Sequence, residues 1–397
     1  EALSRLDELR GPPWFDLFVQ YHGGLIALMG GKQEQAVERL QNAFNNKAGG
    51  QAYNETYTRV IEALTYAHIK ASNKSSALEQ LEEGLRLQPQ SPVFERMMAN
   101  IKAGKKIAAT IISAQRGVAE VYLNLGAALN KEGGEQFARI YMQLAQALAP
   151  NDDLVVVSLA DLLDRQRLIK RSNDLFGKIA EDSPYYRIAR LEIALNLDEL
   201  GDLDAAKKEM ESLLKSGPDD LVTHLSYGAV LARHEKFGEA AAIYNKILSR
   251  IDDPQRFHWN LVYRLGIAYE RTKQWPKAEA AFKRALKLYP NQPSVLNYLG
   301  YSWVDMNINL EEGLAMIKKA VELRPNDGYM VDSLGWAYYR LGQFDNAVKE
   351  LERAVNLRPG DPTINDHLGD AYWQAGRKLE GMFQWKHALA LDPPKAD

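Results

Sequence analysis

Residues 293–393 consist of three consecutive segments: PSVLNYLGYSWVDMNINLEEGLAMIKKAVELRP (293–325), NDGYMVDSLGWAYYRLGQFDNAVKELERAVNLRP (326–359) and GDPTINDHLGDAYWQAGRKLEGMFQWKHALALDP (360–393). The closing prolines follow one another at intervals of 34 residues. The segments share leucine and glycine, an aromatic residue, a small residue, a large residue, alanine and proline, in that order. These are Leu299 and Gly300, Leu334 and Gly335, Leu368 and Gly369; Trp303, Tyr338, Tyr372; Gly313, Ala347, Gly381; Ile317, Leu351, Trp385; Ala320, Ala354, Ala388; and Pro325, Pro359, Pro393.

The spacing within each segment predicts two helices. Leu299, Gly300 and Trp303 fall on one apolar stripe of the first helix. Small residues on both helices, such as Gly335 and Ala347, allow the two backbones to approach closely. The closing proline ends the second helix, because proline lacks an N–H and disfavours helical geometry in the preceding residue.

The period and this order of residue types resemble the tetratricopeptide repeat (TPR), a helix-turn-helix unit of 34 residues. One hairpin cannot bury its own apolar stripe, so neighbouring repeats must stack. The resemblance implies an all-α fold, namely a right-handed superhelical solenoid of about ten TPR hairpins. It also implies that the chain binds a protein or a peptide in a concave groove.

The same pattern extends towards the amino terminus, with one interruption near residues 90–118. We predict an N-terminal TPR segment (1–103), an irregular linker (104–118) and a continuous C-terminal array (119–397). Half-repeats are expected at 1–10 and 92–103. The linker contains Ile107, Ile111 and Ile112 and has no helical stripe. It is either a tolerated insertion or a hinge or docking strand.

Composition narrows the classes of function. The formal net charge is −3, which argues against nucleic acid as a main partner, because phosphate binding needs excess lysine and arginine. The chain has no cysteine, which excludes disulfides and thiolate chemistry. No apolar run approaches the roughly 20 residues that cross a bilayer.

No constellation for catalysis or metal binding stands out. The seven histidines form no pair at a known metal-ligand spacing, and no nucleophile elbow or phosphate-binding glycine loop occurs. His367 is interpreted as a packing or groove residue. We therefore expect a protein that is not an enzyme and needs no cofactor or metal.

The TPR resemblance implies which positions face the groove. In the middle of the chain these positions are apolar and indicate either packing between helices or a trough for a partner: Leu123, Val157, Leu191 and Leu225. In the C-terminal third they are aromatic and polar, a composition that favours binding. The predicted partner-binding groove consists of Tyr263, Asn297, Tyr301, Asp305, Tyr329, Asp332, Trp336, Tyr339, Arg340, Asp366, Asp370 and Trp373.

Two details bear on the ligand of that groove. An asparagine such as Asn297 can hold a peptide backbone through its donor and its acceptor. The Lys and Asn clamp of chaperone-binding TPR domains is absent, and Asp332, Asp366 and Asp370 favour a basic or polar ligand.

The motifs NYLGYSWVDM, LGWAYYRLG and INDHLGDAYWQAG resemble those of exported alphaproteobacterial TPR proteins, some of which are linked to cell-envelope integrity. This resemblance implies a periplasmic scaffold. The alternative is a scaffold for envelope polysaccharide export or peptidoglycan enzymes that contacts glycans directly. The last repeat has no covering helix in this chain, so we expect either that the native protein has further residues or that this face meets another chain, for example by self-association.

Overall fold

The computed structural model describes residues 1–11, 15–47, 54–89, 91–109, 111, 113–131 and 133–391, with residues 54 and 131 described by their backbone alone. The chain is 78% helix, and the described residues contain 22 α-helices and no strand. Two compact units are present, Glu1–Ser216 and Gly217–Asp397. The all-α solenoid of repeated helix pairs is therefore confirmed.

The first unit contains five hairpins and two single helices. The hairpins are α2/α3, α4/α5, α7/α8, α9/α10 and α11/α12, and the single helices α1 and α6 are the predicted half-repeats. The bounds are α1 (Ala2–Glu8), α2 (Phe15–Met29), α3 (Gln33–Asn45), α4 (Asn54–Lys70), α5 (Lys74–Leu87), α6 (Pro92–Lys102), α7 (Ala114–Lys131), α8 (Glu135–Leu148), α9 (Asp153–Arg165), α10 (Ile169–Phe176), α11 (Tyr186–Glu199) and α12 (Leu203–Ser216).

The second unit contains five further hairpins, which brings the total to the predicted ten. A short 3-10 turn, Arg256–His258, lies in the insertion before the second of them. The helices are α13 (Leu221–Arg233), α14 (Phe237–Leu248), α15 (Trp259–Arg271), α16 (Trp275–Leu288), α17 (Pro293–Asp305), α18 (Leu310–Leu323), α19 (Gly328–Arg340), α20 (Phe344–Leu357), α21 (Pro362–Gln374) and α22 (Lys378–Ala390).

Local sequence sets where these helices begin and end. The Asp361 carboxylate accepts hydrogen bonds from the backbone N–H groups of Thr363 (3.0 Å) and Ile364 (3.1 Å), so it caps α21 ahead of Pro362. Helix α20 ends before Arg358, which precedes a proline and leaves helical geometry at φ −141° and ψ 70°. The corresponding Pro393 lies outside the described residues.

The small residues lie where the hairpins are most crowded. A Cβ added to Gly335 would lie 2.5 Å from Cγ of Leu351, and one added to Gly300 would lie 2.7 Å from the carbonyl oxygen of Gly313. Real Cβ atoms do not approach other atoms so closely, so glycine is required at both positions. The predicted reason for the small residues is confirmed.

A buried ion network connects α4, α7 and the start of α9 in the first unit. Nη2 of Arg59 donates to both carboxylate oxygens of Asp152, at 2.8 and 2.6 Å, and Nη1 donates to Glu62 at 3.1 Å. Nε of Arg59 lies 3.5 Å from Glu120. Arg116 pairs with the same Asp152. These contacts join residues on both sides of the interruption, so one network secures helices before and after it.

Part of the predicted linker is irregular, whereas its end is helical. Residues 105–109 adopt neither helix nor strand, and α7 begins at Ala114. Ile107 and Ile111 pack on the core of the first unit, and Ile112 lies outside the described residues. The chain passes from one compact unit to the other at Ser216 and Gly217, and the division into segments 1–103 and 119–397 stays a prediction.

Candidate functional site

An open cavity of about 620 Å³ lies in the second unit, along the first helices of consecutive hairpins. Five residues of the predicted partner-binding groove line it: Asn297, Tyr301, Asp305, Tyr329 and Asp332. They come from α17 and α19, and α15 and α21 complete the wall. We call this space the α17/α19 cavity. Its other lining residues are Glu270, Arg271, Lys273, Trp275, Tyr298, Ser302, Met306, Ser333, Thr363 and His367.

A chain of hydrogen bonds orients Asn297 at the cavity wall. The Ser333 hydroxyl donates to the carbonyl oxygen of Tyr329 at 2.9 Å, so it accepts from Nδ2 of Asn297 at 3.2 Å. Oδ1 of Asn297 is buried and has no hydrogen-bond partner among the described residues. Ser333 accepts from one of the two N–H groups of the Asn297 amide, and whether Asn297 holds a peptide backbone through a donor and an acceptor stays a prediction.

Asp332 and His367, which both line the cavity, form a buried pair. Nδ1 of His367 lies 2.9 Å from Oδ1 of Asp332, and Asp332 is only 7% exposed. Burial lowers the pKa of His367, but the hydrogen bond and charge of Asp332, with Asp366 and Asp370, outweigh it and raise the pKa above its usual value. Asp332 is thus occupied by His367, which reduces its capacity to attract a basic ligand.

Trp336 extends this pair into an aromatic cluster. Its ring stacks on His367 at 4.2 Å between centroids and on Tyr339 at 4.7 Å, with interplanar angles of 19° and 14°. Nε1 of Trp336 is buried without a hydrogen-bond partner among the described residues. An unpaired buried donor costs about 1–3 kcal/mol. The cluster therefore holds His367 rigidly and retains one unused donor.

The rim of the cavity carries an aromatic ring and an ion pair. Burial raises the pKa of Tyr301 to about 12, so this side chain stays neutral and presents a hydroxyl. Nη1 of Arg340 lies 3.5 Å from Asp305. Arg358 lies over the ring of Tyr329, 4.1 Å from its centroid. The predicted Arg340 thus reaches the rim through Asp305.

Seven predicted groove residues lie outside the lining of this cavity; besides Trp336, Tyr339 and Arg340, they are Tyr263, Asp366, Asp370 and Trp373. Tyr263 packs against Phe282, with ring centroids 6.0 Å apart. Asp370 accepts a hydrogen bond from Nε1 of Trp385 at 3.1 Å, and burial with the charge of Asp366 raises its pKa. Asp366 is exposed, and the ring of Trp373 lies 5.3 Å from that of Trp385. Their use in binding stays a prediction.

The predicted apolar positions are packed to different degrees. Leu123 is 1% exposed and Leu191 is buried, whereas Val157 and Leu225 are half-buried. Leu123 contributes to a core with Leu154 and Val155, a position that serves packing between helices. Whether the half-buried pair contacts a partner stays a prediction.

Several cavity residues were not predicted from the sequence. Ser333 and Glu270 line the cavity, and His367, interpreted only as a packing or groove residue, forms its closest ion pair. The repeat period contains a usable signal, because residues about one repeat apart lie on adjacent first helices. Asp332 and His367 are 35 positions apart, and Asn297 and Ser333 are 36 apart.

Two searches over the described residues bear on other classes of site. They contain no group of three or more histidine, aspartate or glutamate side chains placed to hold a metal ion. None of the described helices combines the length and the apolar character that a membrane span requires.

Models of TPR families match three parts of the chain. A model described as "TPR repeat" matches residues 335–376, and two described as "Tetratricopeptide repeat" match residues 259–292 and 191–257. The match to residues 259–292 coincides with the hairpin α15/α16, and the other two matches begin within α19 and α11. The model for residues 335–376 covers Trp336, Tyr339 and His367, which form the aromatic cluster.

Two curated proteins are similar to parts of the chain. A TPR repeat-containing protein of Pseudomonas aeruginosa is 24% identical over 200 residues, which is 50% of this chain and 33% of that protein. Superkiller complex protein 3 of Mus musculus is 29% identical over 132 residues, which is 32% of this chain and 8% of that protein. The chain therefore spans a third or less of the curated relatives it matches.

Solved structures of helical-repeat proteins are also similar to the chain. Yeast Tom70 aligns with 99% of this chain and 88% of its own at 14% identity, with a TM-score of 0.49. MamA MSR-1 aligns with 43% of this chain and 95% of its own at 24% identity, with a TM-score of 0.36. With ten helical hairpins at the repeat spacing and three matching TPR models, the chain is a tetratricopeptide repeat protein.

Proposed function

We propose that the α17/α19 cavity binds an extended peptide segment of a partner protein. The observation that carries the proposal is the set of groups along one wall, where Tyr301 presents a neutral hydroxyl and Asn297 has an unused acceptor. Trp336, whose ring stacks on the lining residue His367, has an unused donor. A peptide backbone supplies both a donor and an acceptor, so it can satisfy such groups after small side-chain rotations.

The charges at the cavity favour a ligand of mixed character. Glu270 and Asp305 are balanced by Arg271 and Lys273, and Asp332 is hydrogen-bonded to His367. Aromatic surfaces with polar neighbours supply most of the energy at protein interfaces. Recognition at this site therefore depends on aromatic contact and hydrogen bonds more than on net charge.

A chain with this site acts as a scaffold or adaptor and not as an enzyme. TPR arrays are interaction modules, and the titratable groups at the cavity are held in structural pairs. His367 is locked between Asp332 and Trp336, so it has no free position from which to serve as a general base for a substrate.

The cellular setting follows from the resemblance described above. We propose that the protein acts in the periplasm and supports cell-envelope integrity. Epitope-tagged protein, followed by fractionation of cells of the source organism, tests the compartment. Recovery in the cytoplasmic fraction would contradict this part of the proposal, and it would leave the peptide-binding site unaffected.

A glycan-binding scaffold is the alternative. Trp373 is 38% exposed and Tyr329 is 50% exposed, and exposed aromatic faces can stack on sugar rings. Titration with soluble peptidoglycan fragments, followed by tryptophan fluorescence, distinguishes the two. Saturable quenching that disappears in Trp373→Ala would favour the glycan scaffold.

Site-directed photocrosslinking tests the peptide-binding proposal. A benzophenone amino acid at Tyr329, on the cavity rim, is expected to crosslink a partner in envelope extract. The same amino acid at Phe257, which is also exposed in the second unit but lies away from the cavity, serves as the control. Adding Tyr301→Ala and Trp336→Ala should abolish the crosslink while the helical circular dichroism remains. An undiminished crosslink in that variant would refute the site.

Self-association is a separate proposal for the last hairpin. Leu379, Phe383 and Leu389 on α22 are each about 70% exposed, and apolar side chains in contact with water favour association. Sedimentation velocity of the chain is expected to show a dimer that Leu379→Glu with Phe383→Glu converts to a monomer. A monomeric parent chain would contradict the proposal.

A further inference from the structure

A second cavity, of about 330 Å³, lies in the first unit beside the interruption of the array. Helices α4, α6 and α7 and the irregular residues 105–109 surround it. We call it the interruption cavity. Its lining residues are Arg59, Glu62, Val93, Arg96, Met97, Asn100, Lys106, Ile107, Ala108, Ala109, Arg116 and Pro184.

Positive charge dominates this wall. Four lining residues are cationic and Glu62 is the one lining carboxylate; behind the wall, Glu120 and Asp152 complete the ion network. Arg59 and Arg116 share the carboxylate of Asp152. The positive charge in excess lies at the outer wall, on Arg96 and Lys106.

These two outer cations are not neutralised. The guanidinium of Arg96 donates to the backbone carbonyl of Asp182, a neutral acceptor, and is otherwise exposed. Lys106 is exposed and pairs with no acidic residue in the part of the chain that the structure describes. Both are therefore available to a carboxylate of a ligand.

The irregular segment offers unpaired backbone groups next to those cations. Within the described ranges, the N–H and C=O groups of residues 106–109 form no hydrogen bond, whereas the N–H of Lys105 donates to Asn100. Unpaired backbone groups outside helices can form hydrogen bonds with the backbone of a second chain that lies along them. Val93, Met97 and Ile107 supply an apolar floor beside it.

We propose that the interruption cavity binds an extended acidic segment of a partner protein, paired by backbone hydrogen bonds to residues 106–109. Its carboxylates contact Arg96 and Lys106, and an aliphatic side chain between them contacts the apolar floor. The lining carboxylate of Glu62, the two buried carboxylates behind the wall and the apolar floor disfavour a polyphosphate chain, which would need a wholly cationic surface. The site lies in a different unit from the α17/α19 cavity, so an experiment can refute the proposal for one site without affecting the other.

A designed peptide tests the proposal on the full chain. Side chains alternate between the two faces of an extended strand, so acetyl-Glu-Ser-Val-Ser-Glu-amide presents two carboxylates and one valine on one face. With a fluorescent label, its binding is measured by anisotropy. Arg96→Gln with Lys106→Gln is expected to weaken it about tenfold, because partly exposed ion pairs each contribute modestly to binding.

The matched control is Lys102→Gln with Lys105→Gln, which removes the same charge from the same segment but from outside the cavity lining. This variant should change binding less than about twofold. Equal weakening by both variants would mean general charge attraction and would overturn the proposal. Binding of the Gln-for-Glu peptide as tight as that of the parent peptide would also overturn it.

Methylated peptides test the backbone pairing without altering the protein. In an extended chain, alternate N–H groups point to the same edge, so methylating one alternate set should abolish binding and methylating the other should spare it. Tolerance of both sets would overturn the pairing. Inorganic polyphosphate that displaces the peptide and binds the Arg96→Gln/Lys106→Gln variant less tightly than the parent would overturn the peptide assignment.

Discussion

Replacing Arg59 by methionine should destabilise the first unit severely. Arg59 is 7% exposed and contacts three carboxylates that are themselves nearly buried, on Glu62, Glu120 and Asp152. Methionine fills the space but leaves these carboxylates with Arg116 as the nearest cation, bonded to Asp152. Removing one partner of a buried ion pair costs about 3–5 kcal/mol. Since whole domains are stable by about 5–15 kcal/mol, the loss is a large fraction of the total.

Urea unfolding with two probes measures the effect. Six of the seven tryptophans lie between residues 259 and 385, so tryptophan fluorescence reports mainly on the second unit, while circular dichroism reports on both. With a urea dependence of about 2–3 kcal/mol per molar, the circular-dichroism midpoint of the first unit should fall by about 1–2 M. The fluorescence midpoint should hardly change.

Arg86→Met is the matched control, because the side chain of Arg86 is 70% exposed and its pair with Glu83 lies on the surface. A shift for Arg59→Met no larger than that of this control would refute the reasoning.

The dependence of stability on pH provides a second check. Burial raises the pKa values of Glu62 and Glu120 above their unfolded values, so protonation favours the folded state. The loss of unfolding free energy caused by Arg59→Met should therefore be smaller at pH 5 than at pH 8.

Two further predictions concern the second unit. Gly335→Val should lower the free energy of unfolding by about 1–3 kcal/mol through overpacking, because the new Cβ would meet Leu351. Gly360→Val should cost little, because a Cβ at Gly360 meets open space. Thermal unfolding measures both variants. Equal costs would contradict the close-approach argument. The pKa of His367 is raised in the folded state, so its stabilisation is complete below about pH 6.5 and is lost as pH rises through the folded pKa. Asp332→Asn should flatten this pH dependence, which is measured by fluorescence-monitored unfolding at several pH values. An unchanged pH profile in the variant would contradict the role given to the Asp332–His367 pair.

Sequence reasoning predicted the residues that line the α17/α19 cavity only in part. Asn297, Tyr301 and Asp332 were predicted at the groove, and all three line one cavity. Their hydrogen bonds were not predictable, because the rotation of Ser333 decides which atom of Asn297 is left unpaired. The pair between Asp332 and His367 depends on contact between neighbouring repeats, and no local pattern encodes that contact.

The amino-acid sequence by itself determined the repeat, its helix boundaries and the number of hairpins. Glycine at close approaches, aspartate at helix starts and proline after helix ends act within one or two turns, so their effects can be read locally. Only the tertiary structure decided which charges meet in the Arg59 network. It also decided which cations at the interruption cavity have no carboxylate partner among the described residues. Those pairings join residues up to 93 positions apart, and their energies depend on burial, which arises only when separate helices pack together.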